Sequence, residues 1–239
     1  MTSHWPSPWH SDRRDFASLG NGEWQRAGRP QRRASPVGGA TKRVLDIGIA
    51  VVGLLLCLPL FVFAVALIKC WDKGPVFFVH RRVGYAGRAF GCVKFRTMVT
   101  NGDEVLLSHL KLSPAAAREW AETRKLKSDP RITSLGVILR KSSLDELPQL
   151  VNVLRGDMSI VGPRPIVPDE TGMYGNEIES YLRSRPGLTG AWQVSGRNNE
   201  SYARRVAMDR NYVEHWSLWR DIVIMVKTVP VLLTARGSY

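Results

Sequence analysis

Two adjacent carboxylates, Asp145 and Glu146, lie among cations at Arg140, Lys141, Arg155 and Arg164 in the stretch RKSSLDELPQLVNVLRGDMSIVGPRP. An ionised carboxylate close to arginines can hold a metal ion against a phosphate, or attack phosphorus as a nucleophile. Ser143-x-x-Glu146 fits a capping box, which predicts a helix starting near Ser143. Leu147, Leu150, Val151 and Leu154 follow at helical spacing and would face a core. Asp145 then falls in the first helical turn, where the dipole favours its ionised form. Simple capping accounts for the same two acids, so this stretch alone leaves both roles open.

Other residues could serve the same chemistry. Lys94 and Arg96 lie two residues apart on a predicted strand and so share a face. They form either a phosphate clamp or a solvated strand face. Arg164 stands between Pro163 and Pro165, whose rings stiffen the backbone on both sides of it. Arg197, with Asn198 and Asn199, ends a glycine-rich loop and could contact a nucleotide or a sugar, or belong to a plain polar loop. Asp209 is a second acidic candidate, within a helical tail that carries Tyr212, Trp216 and Trp219.

The elements that would carry these residues follow from patterning. Residues 1–40 are rich in Ser, Gly, Pro and Arg without periodicity and read as a disordered basic arm. Arg13, Arg14, Arg32 and Arg33 could hold that arm near anionic lipid. No cleavable secretory signal is read, because the apolar segment comes too late. That segment, VLDIGIAVVGLLLCLPLFVFAVALIK from Val44 to Lys69, has no charge between Asp46 and Lys69. It lacks the polar stripe of a soluble helix and is long enough to enter a bilayer, which takes about 20 apolar residues. Both flanks are basic, with Lys42 and Arg43 before it and Lys69 and Lys73 after, so the positive-inside rule assigns no orientation. Pro59, near the middle, would disturb the hydrogen-bond ladder, and spanning and re-entrant paths both stay open.

Beyond it, PVFFVHRRVG and RAFGCVKFRTM flank Tyr85-Ala86-Gly87 and predict a β-hairpin. Residues 101–127 read as two amphipathic helices divided at Pro114, with Ser113 as the second N-cap. The aromatic and apolar tail from Tyr202 to Leu233 suits a membrane interface. The chain has 239 residues and a formal charge of +13, which asks for an anionic partner such as lipid headgroups, phosphorylated substrates or nucleic acid. No recognised nucleic-acid motif is present and the basic residues are spread out, so nucleic acid is not expected. Cys57, Cys70 and Cys92 have no metal-ligand spacing.

Taken together, KFRTM (Lys94–Met98), SLDELPQLVNVLRGDMS (Ser143–Ser159), VGPRP (Val161–Pro165), RPGLTGAWQVSGRN (Arg185–Asn198) and YVEHWSLWRDI (Tyr212–Ile222) resemble the bacterial sugar transferases. These are small monotopic phosphoglycosyl transferases that act on polyprenyl phosphate. The resemblance leaves out the first 40 residues. It implies transfer of a sugar 1-phosphate from a UDP-sugar to polyprenyl (undecaprenyl) phosphate, with release of UMP and a need for Mg²⁺. It implies that Asp145 is the nucleophile of a covalent phosphosugar intermediate, with Glu146 as its partner. The form RPGLTGAWQVSGRN is most similar to members that begin exopolysaccharide synthesis with galactose or glucose. The apolar helix is implied to be re-entrant and broken at Pro59, although Leu58 stands where the family often has serine.

The expected fold is then an α-rich mixed α/β monotopic membrane protein. It has a basic arm (1–40), a re-entrant helix (41–71) and a cytoplasmic catalytic domain (72–239) at the bacterial inner membrane, with a small β-hairpin and amphipathic interfacial helices around the site. The chemistry is coherent with that implication. An anionic Asp145 and a diphosphate repel one another. Mg²⁺ held at Asp145, with Lys94, Arg96, Arg140 and Arg164, would cancel that repulsion.

Overall fold

The apolar run forms one long helix, α1 (Gly39–Trp71), which begins the described part of the chain. The computed structural model describes residues 35–71, 74–123, 126–195 and 201–233. Most of the expected basic arm, and Arg197 with Asn198 and Asn199, lie outside the described residues. Pro59 is inside α1 rather than between two helices. The ring removes one N–H from the ladder without ending the helix.

Lys42, Arg43 and Asp46, at the start of α1, are internal anchors rather than a membrane flank. Lys42 Nζ lies 2.5 Å from Asp221 Oδ2, and both side chains are buried. Tyr212 and Trp216 donate to the same carboxylate at 2.6 and 3.1 Å. Asp46 Oδ1 accepts from Ser159 Oγ and from the Ile160 N–H, each at 2.9 Å. Further along, Ala50 and Leu54 pack into one core cluster, and Phe61, Ala64, Val65 and Ile68 into a second. The longest stretch of α1 without core contact, between Leu54 and Phe61, rises only about 10 Å, against a hydrocarbon core of about 30 Å. Leu55, Leu56 and Leu58 are exposed there, and Val62 and Phe63 just beyond. Both ends of α1 are therefore held to one folded unit, and the exposed apolar surface between them can only dip into a membrane. This is a helix-rich monotopic architecture.

The hairpin forms as its patterning predicts. β1 (Phe77–Val83) pairs antiparallel with β2 (Ala89–Phe95) around a turn in which Ala86 takes a left-handed conformation. Then come α2 (Gly102–Leu112) and α3 (Pro114–Thr123). They belong to a separate compact unit that includes residues 101–130. Ser113 Oγ caps α3 by accepting from the Ala116 N–H at 3.2 Å.

The larger unit resumes with α4 (Ser134–Lys141), capped by Thr133, and α5 (Gln149–Arg155). A three-residue parallel pair, β3 (Ser159–Val161) with β4 (Gly187–Thr189), follows. Between these strands lie the short helices α6 (Thr171–Tyr174) and α7 (Ile178–Leu182). Finally come α8 (Ala191–Ser195), α9 (Tyr202–Glu214) and α10 (Leu218–Leu233). Trp219, Val226 and Val229 are exposed along α10, while Asp221 and Ile224 are buried, so the tail has the expected apolar outer stripe.

Candidate active site

The carboxylate pair sits on a short 3-10 turn, Leu144–Glu146, rather than in the first turn of an α-helix. The predicted capping box does not form. Ser143 has φ +56°, a left-handed conformation, whereas a capping serine is normally extended. Glu146 instead meets Lys94, Oε1 to Nζ at 2.6 Å. Pro148 then precedes α5, where its missing N–H costs no helical bond. The left-handed Ser143, two residues before Asp145, marks the turn that leads from α4 into the carboxylate pair.

Lys94 also lies 3.8 Å from Asp145 Oδ2. Asp145 is 8% exposed. Burial pushes its carboxyl up from 3.8 to about 6, Glu146 adds to the rise, and Lys94 and Arg140 oppose it. Arg140 is steadied by donating from Nε to Thr97 Oγ1 at 2.9 Å. At neutral pH Asp145 is thus mostly ionised and less stabilised by solvent than an ordinary aspartate, which makes it a better nucleophile.

Lys94 owes its place to Asn152, a fully buried α5 residue that patterning gave no reason to choose. Its Oδ1 accepts from the Val93 N–H at 3.0 Å, and its Nδ2 donates to the Gly91 carbonyl at 2.7 Å. One side chain thereby ties β2 to the helix that follows the carboxylates. The expected pairing of Lys94 with Arg96 on one clamp is not what forms. β2 ends at Phe95, and Arg96 is buried beside Gly74, so close that a Cβ there would stand 2.3 Å from Nη1. The two cations go to different surroundings.

Arg164 is set by two chain segments packed backbone to backbone. A Cβ on Gly162 would stand 2.5 Å from the Arg185 carbonyl oxygen, and one on Gly190 2.2 Å from the Gly162 oxygen. No side chain fits at either point, which is why VGPRP and RPGLTG carry glycines there. After the motif, Ile166 pairs with Val83 at the end of β1, and the Tyr181 hydroxyl fastens both strands. The Arg164 guanidinium lies 5.4 Å from the centre of the Trp192 ring. Arg205 lies 5.1 Å from that ring, with Glu170 at 3.5 Å and Asp209 at 4.0 Å. Asp209 is 1% exposed and accepts from the Tyr174 hydroxyl at 2.8 Å. Burial raises its carboxyl to about 6 against the pull of Tyr174, Arg205 and Arg164. It thus supports the arginine cluster from below.

The two groups converge at Cys92 of β2. Burial raises that thiol, and the charges acting on it are Lys94, Arg82, Glu146 and Arg164. Arg82 joins the halves: its Nη1 donates to the Pro165 carbonyl at 3.2 Å and lies 3.9 Å from Glu170. Sequence reading passed over Arg82, His80, Glu170, Arg205 and Trp192. Strand parity carried a signal for the first two, since residues 80 and 82 share a face with 92 and 94.

The family model described as "Bacterial sugar transferase" matches residues 37–235. The chain is a bacterial sugar transferase. The enzyme is 56% identical over 204 residues to "Exopolysaccharide production protein ExoY" of Sinorhizobium fredii, covering 85% of this chain and 90% of that one. It is 50% identical over 198 residues to "Undecaprenyl-phosphate galactose phosphotransferase" of Salmonella typhimurium, covering 83% of this chain and 41% of that longer one. It is 41% identical over 206 residues to "UDP-glucose:undecaprenyl-phosphate glucose-1-phosphate transferase" of Caulobacter vibrioides, covering 83% and 72%. The matched residues in this sugar transferase span α1 together with the carboxylates and the arginine cluster.

Proposed function

We propose that the enzyme transfers a sugar 1-phosphate, of galactose or glucose, from a UDP-sugar to undecaprenyl phosphate and releases UMP. This would be the first membrane step of exopolysaccharide, capsule or O-antigen synthesis. The observation that carries the reading is the buried Asp145 beside Lys94 and Glu146, with a second cationic group around Arg164 on the other side of Cys92.

In the first half-reaction an Asp145 oxygen attacks the β-phosphorus of the donor. The bond from that phosphorus to the bridging oxygen breaks, and UMP leaves with the electron pair. In the second, a phosphate oxygen of the lipid attacks the same phosphorus. The acyl-phosphate bond breaks, the polyprenyl diphosphate sugar departs, and the carboxylate is restored. Lys94, Arg82, Arg140 and Arg164 neutralise the diphosphate so that an anion can approach it. Splitting the transfer lets nucleotide and lipid use one site in turn.

Among the described residues no three side chains of metal-ligand type cluster. Two adjacent carboxylates nevertheless fit a Mg²⁺ ion, which commonly takes one or two carboxylates and completes its shell with substrate phosphate and water. Asp145, with Glu146 beside it, would hold the ion, and its chemistry there is charge neutralisation at the phosphates. Membrane attachment through α1 would keep this site at headgroup depth, where the acceptor's phosphate lies. We assign the enzyme to the bacterial inner membrane with its site on the cytoplasmic side, because an anionic nucleotide sugar does not cross a bilayer.

Purified enzyme given a panel of UDP-sugars, undecaprenyl phosphate and Mg²⁺ should release UMP. With donor alone it should gain the mass of one sugar phosphate on Asp145. Turnover without such an adduct would refute the covalent route. Tags at either terminus should both be reachable only from the cytoplasm, and labelling from outside would refute the placement.

A further inference from the structure

The hairpin presents a row of side chains that the reaction as described leaves half used. The register pairs Phe78 with Lys94, His80 with Cys92 and Arg82 with Phe90. Alternate residues point to one side of a strand, so Lys94, His80, Cys92 and Arg82 share a face. Lys94, at one end of the row, reaches Glu146 and Asp145. Arg82, at the other, reaches Pro165 and Glu170 and feels the charge of Arg164. His80 stands between them.

The protonation of its ring follows from its neighbour. A guanidinium has N–H donors and no acceptor. Arg82 Nη2 lies 3.1 Å from His80 Nδ1, so Nδ1 accepts and carries no proton. A neutral imidazole then bears its single proton on Nε2. Burial, reinforced by Arg82 and Lys94 and opposed by Glu170, lowers this histidine to about 4, so the ring is neutral in the working range. Nε2–H has no hydrogen-bond partner among the described residues. An uncharged donor is thus fixed between two cations, on the face that carries the carboxylates at one end and the arginine cluster at the other.

We propose that His80 binds the diphosphate of the donor, giving its Nε2–H to a phosphoryl oxygen midway between the Asp145–Glu146 pair and Arg164. This rests on the transfer reaction proposed above. The role is hydrogen bonding that strengthens as charge builds on the phosphoryl oxygens, and no proton is transferred. Because the ring does not titrate near neutrality, the acid limb of the pH profile belongs to other groups.

The test uses the full chain in detergent, with His80→Leu and with His80→Gln, whose amide nitrogen lies near the position of Nε2. Expected is a roughly 10- to 100-fold loss of kcat for His80→Leu. Recovery to within about 5-fold of the wild type is expected for His80→Gln, with the shape of the pH profile unchanged. UDP is the second probe: in the wild type it should shift the imidazole Nε2–H resonance, and the ¹⁵N spectrum should show Nδ1 unprotonated. The proposal is overturned if His80→Leu keeps kcat within about twofold of the wild type. It is equally overturned if both variants merely lose thermal stability at unchanged kcat per folded molecule, or if UDP leaves the ring resonance unmoved. If wild-type enzyme binds UDP yet turns over no UDP-sugar, the transfer reaction fails while the resonance still decides the fate of His80.

Discussion

Replacing Asp145 with Asn should abolish transfer and at the same time stabilise the protein. Burial and Glu146 lift the carboxyl of Asp145 from 3.8 to about 6, even with Lys94 and Arg140 opposing. The folded protein therefore binds this proton more tightly than the unfolded chain does. The group's contribution is most favourable in acid and is lost as pH rises from about 4 through about 6. Above neutrality the ionised side chain costs about 3 kcal/mol relative to a neutral one, at roughly 1.4 kcal/mol for each tenfold difference in proton affinity. Asp145→Asn removes that cost. For a chain of this size the gain is a Tm rise of roughly 5–10 °C near pH 8. The rise should shrink steadily as pH falls from about 6 and disappear below about pH 3, where aspartate is neutral in both states. Thermal unfolding of both proteins in one detergent across that range measures it directly. An Asn variant no more stable than the wild type at high pH, or an advantage that grows in acid, would show that Asp145 is not held against its own solvation.

Lys94→Met removes the cation that most opposes that rise, so the acid limb of UMP release should move up from about 6 while kcat falls; a limb that stays in place contradicts the assignment. Asn152→Ala strands the Val93 N–H and the Gly91 carbonyl, each at a cost of about 1–3 kcal/mol, and frees the strand that carries Lys94. Chemical denaturation should show that loss, and activity should fall further than the unfolded fraction explains. Lys42→Met leaves Asp221 charged and buried, which should cost about 3–5 kcal/mol, and adding Asp221→Asn should recover much of it. Unfolding midpoints of the single and double variants decide that point, and a double variant worse than the single one counts against the buried pair.

How far the sequence reveals this molecule depends on whether a signal is periodic or spatial. The apolar run of α1, the alternation of the hairpin and the split at Pro114 are local in sequence, and each forms where patterning puts it. The Asp145–Glu146 pair stands out because adjacent acids among cations are chemically conspicuous. What patterning misplaces is local conformation: Ser143 is left-handed, and Lys94 captures the glutamate that a capping box needs. Lys42 and Arg43 look like membrane flanks because charge beside an apolar run has that meaning in isolation. Their partners, Asp221 for one and the Val153 and Leu154 carbonyls for the other, are more than 100 residues away. Arg205 and Glu170 are likewise ordinary in sequence until the fold brings them within 3.5 Å of one another and sets Arg205 over the Trp192 ring.

The helix that follows the carboxylates explains why the membrane segment is built into the larger unit rather than appended to it. On α5, Leu150 packs against Gly53 of α1 and joins the cluster that includes Ala50. Arg43 binds the carbonyls at the end of α5, and Asn152 on the same helix holds the strand of Lys94. Leu147, two residues after Asp145 on the 3-10 turn side, touches both clusters that α1 enters. One seven-residue helix therefore ties the placement of α1 to the spacing of Asp145 and Lys94. In the proposed reaction, a lipid phosphate arriving at headgroup depth would meet a site whose height and geometry cannot vary separately. A flexible tether between α1 and the carboxylate pair would give up that coupling, and with it the alignment that the proposed phosphoryl transfer requires.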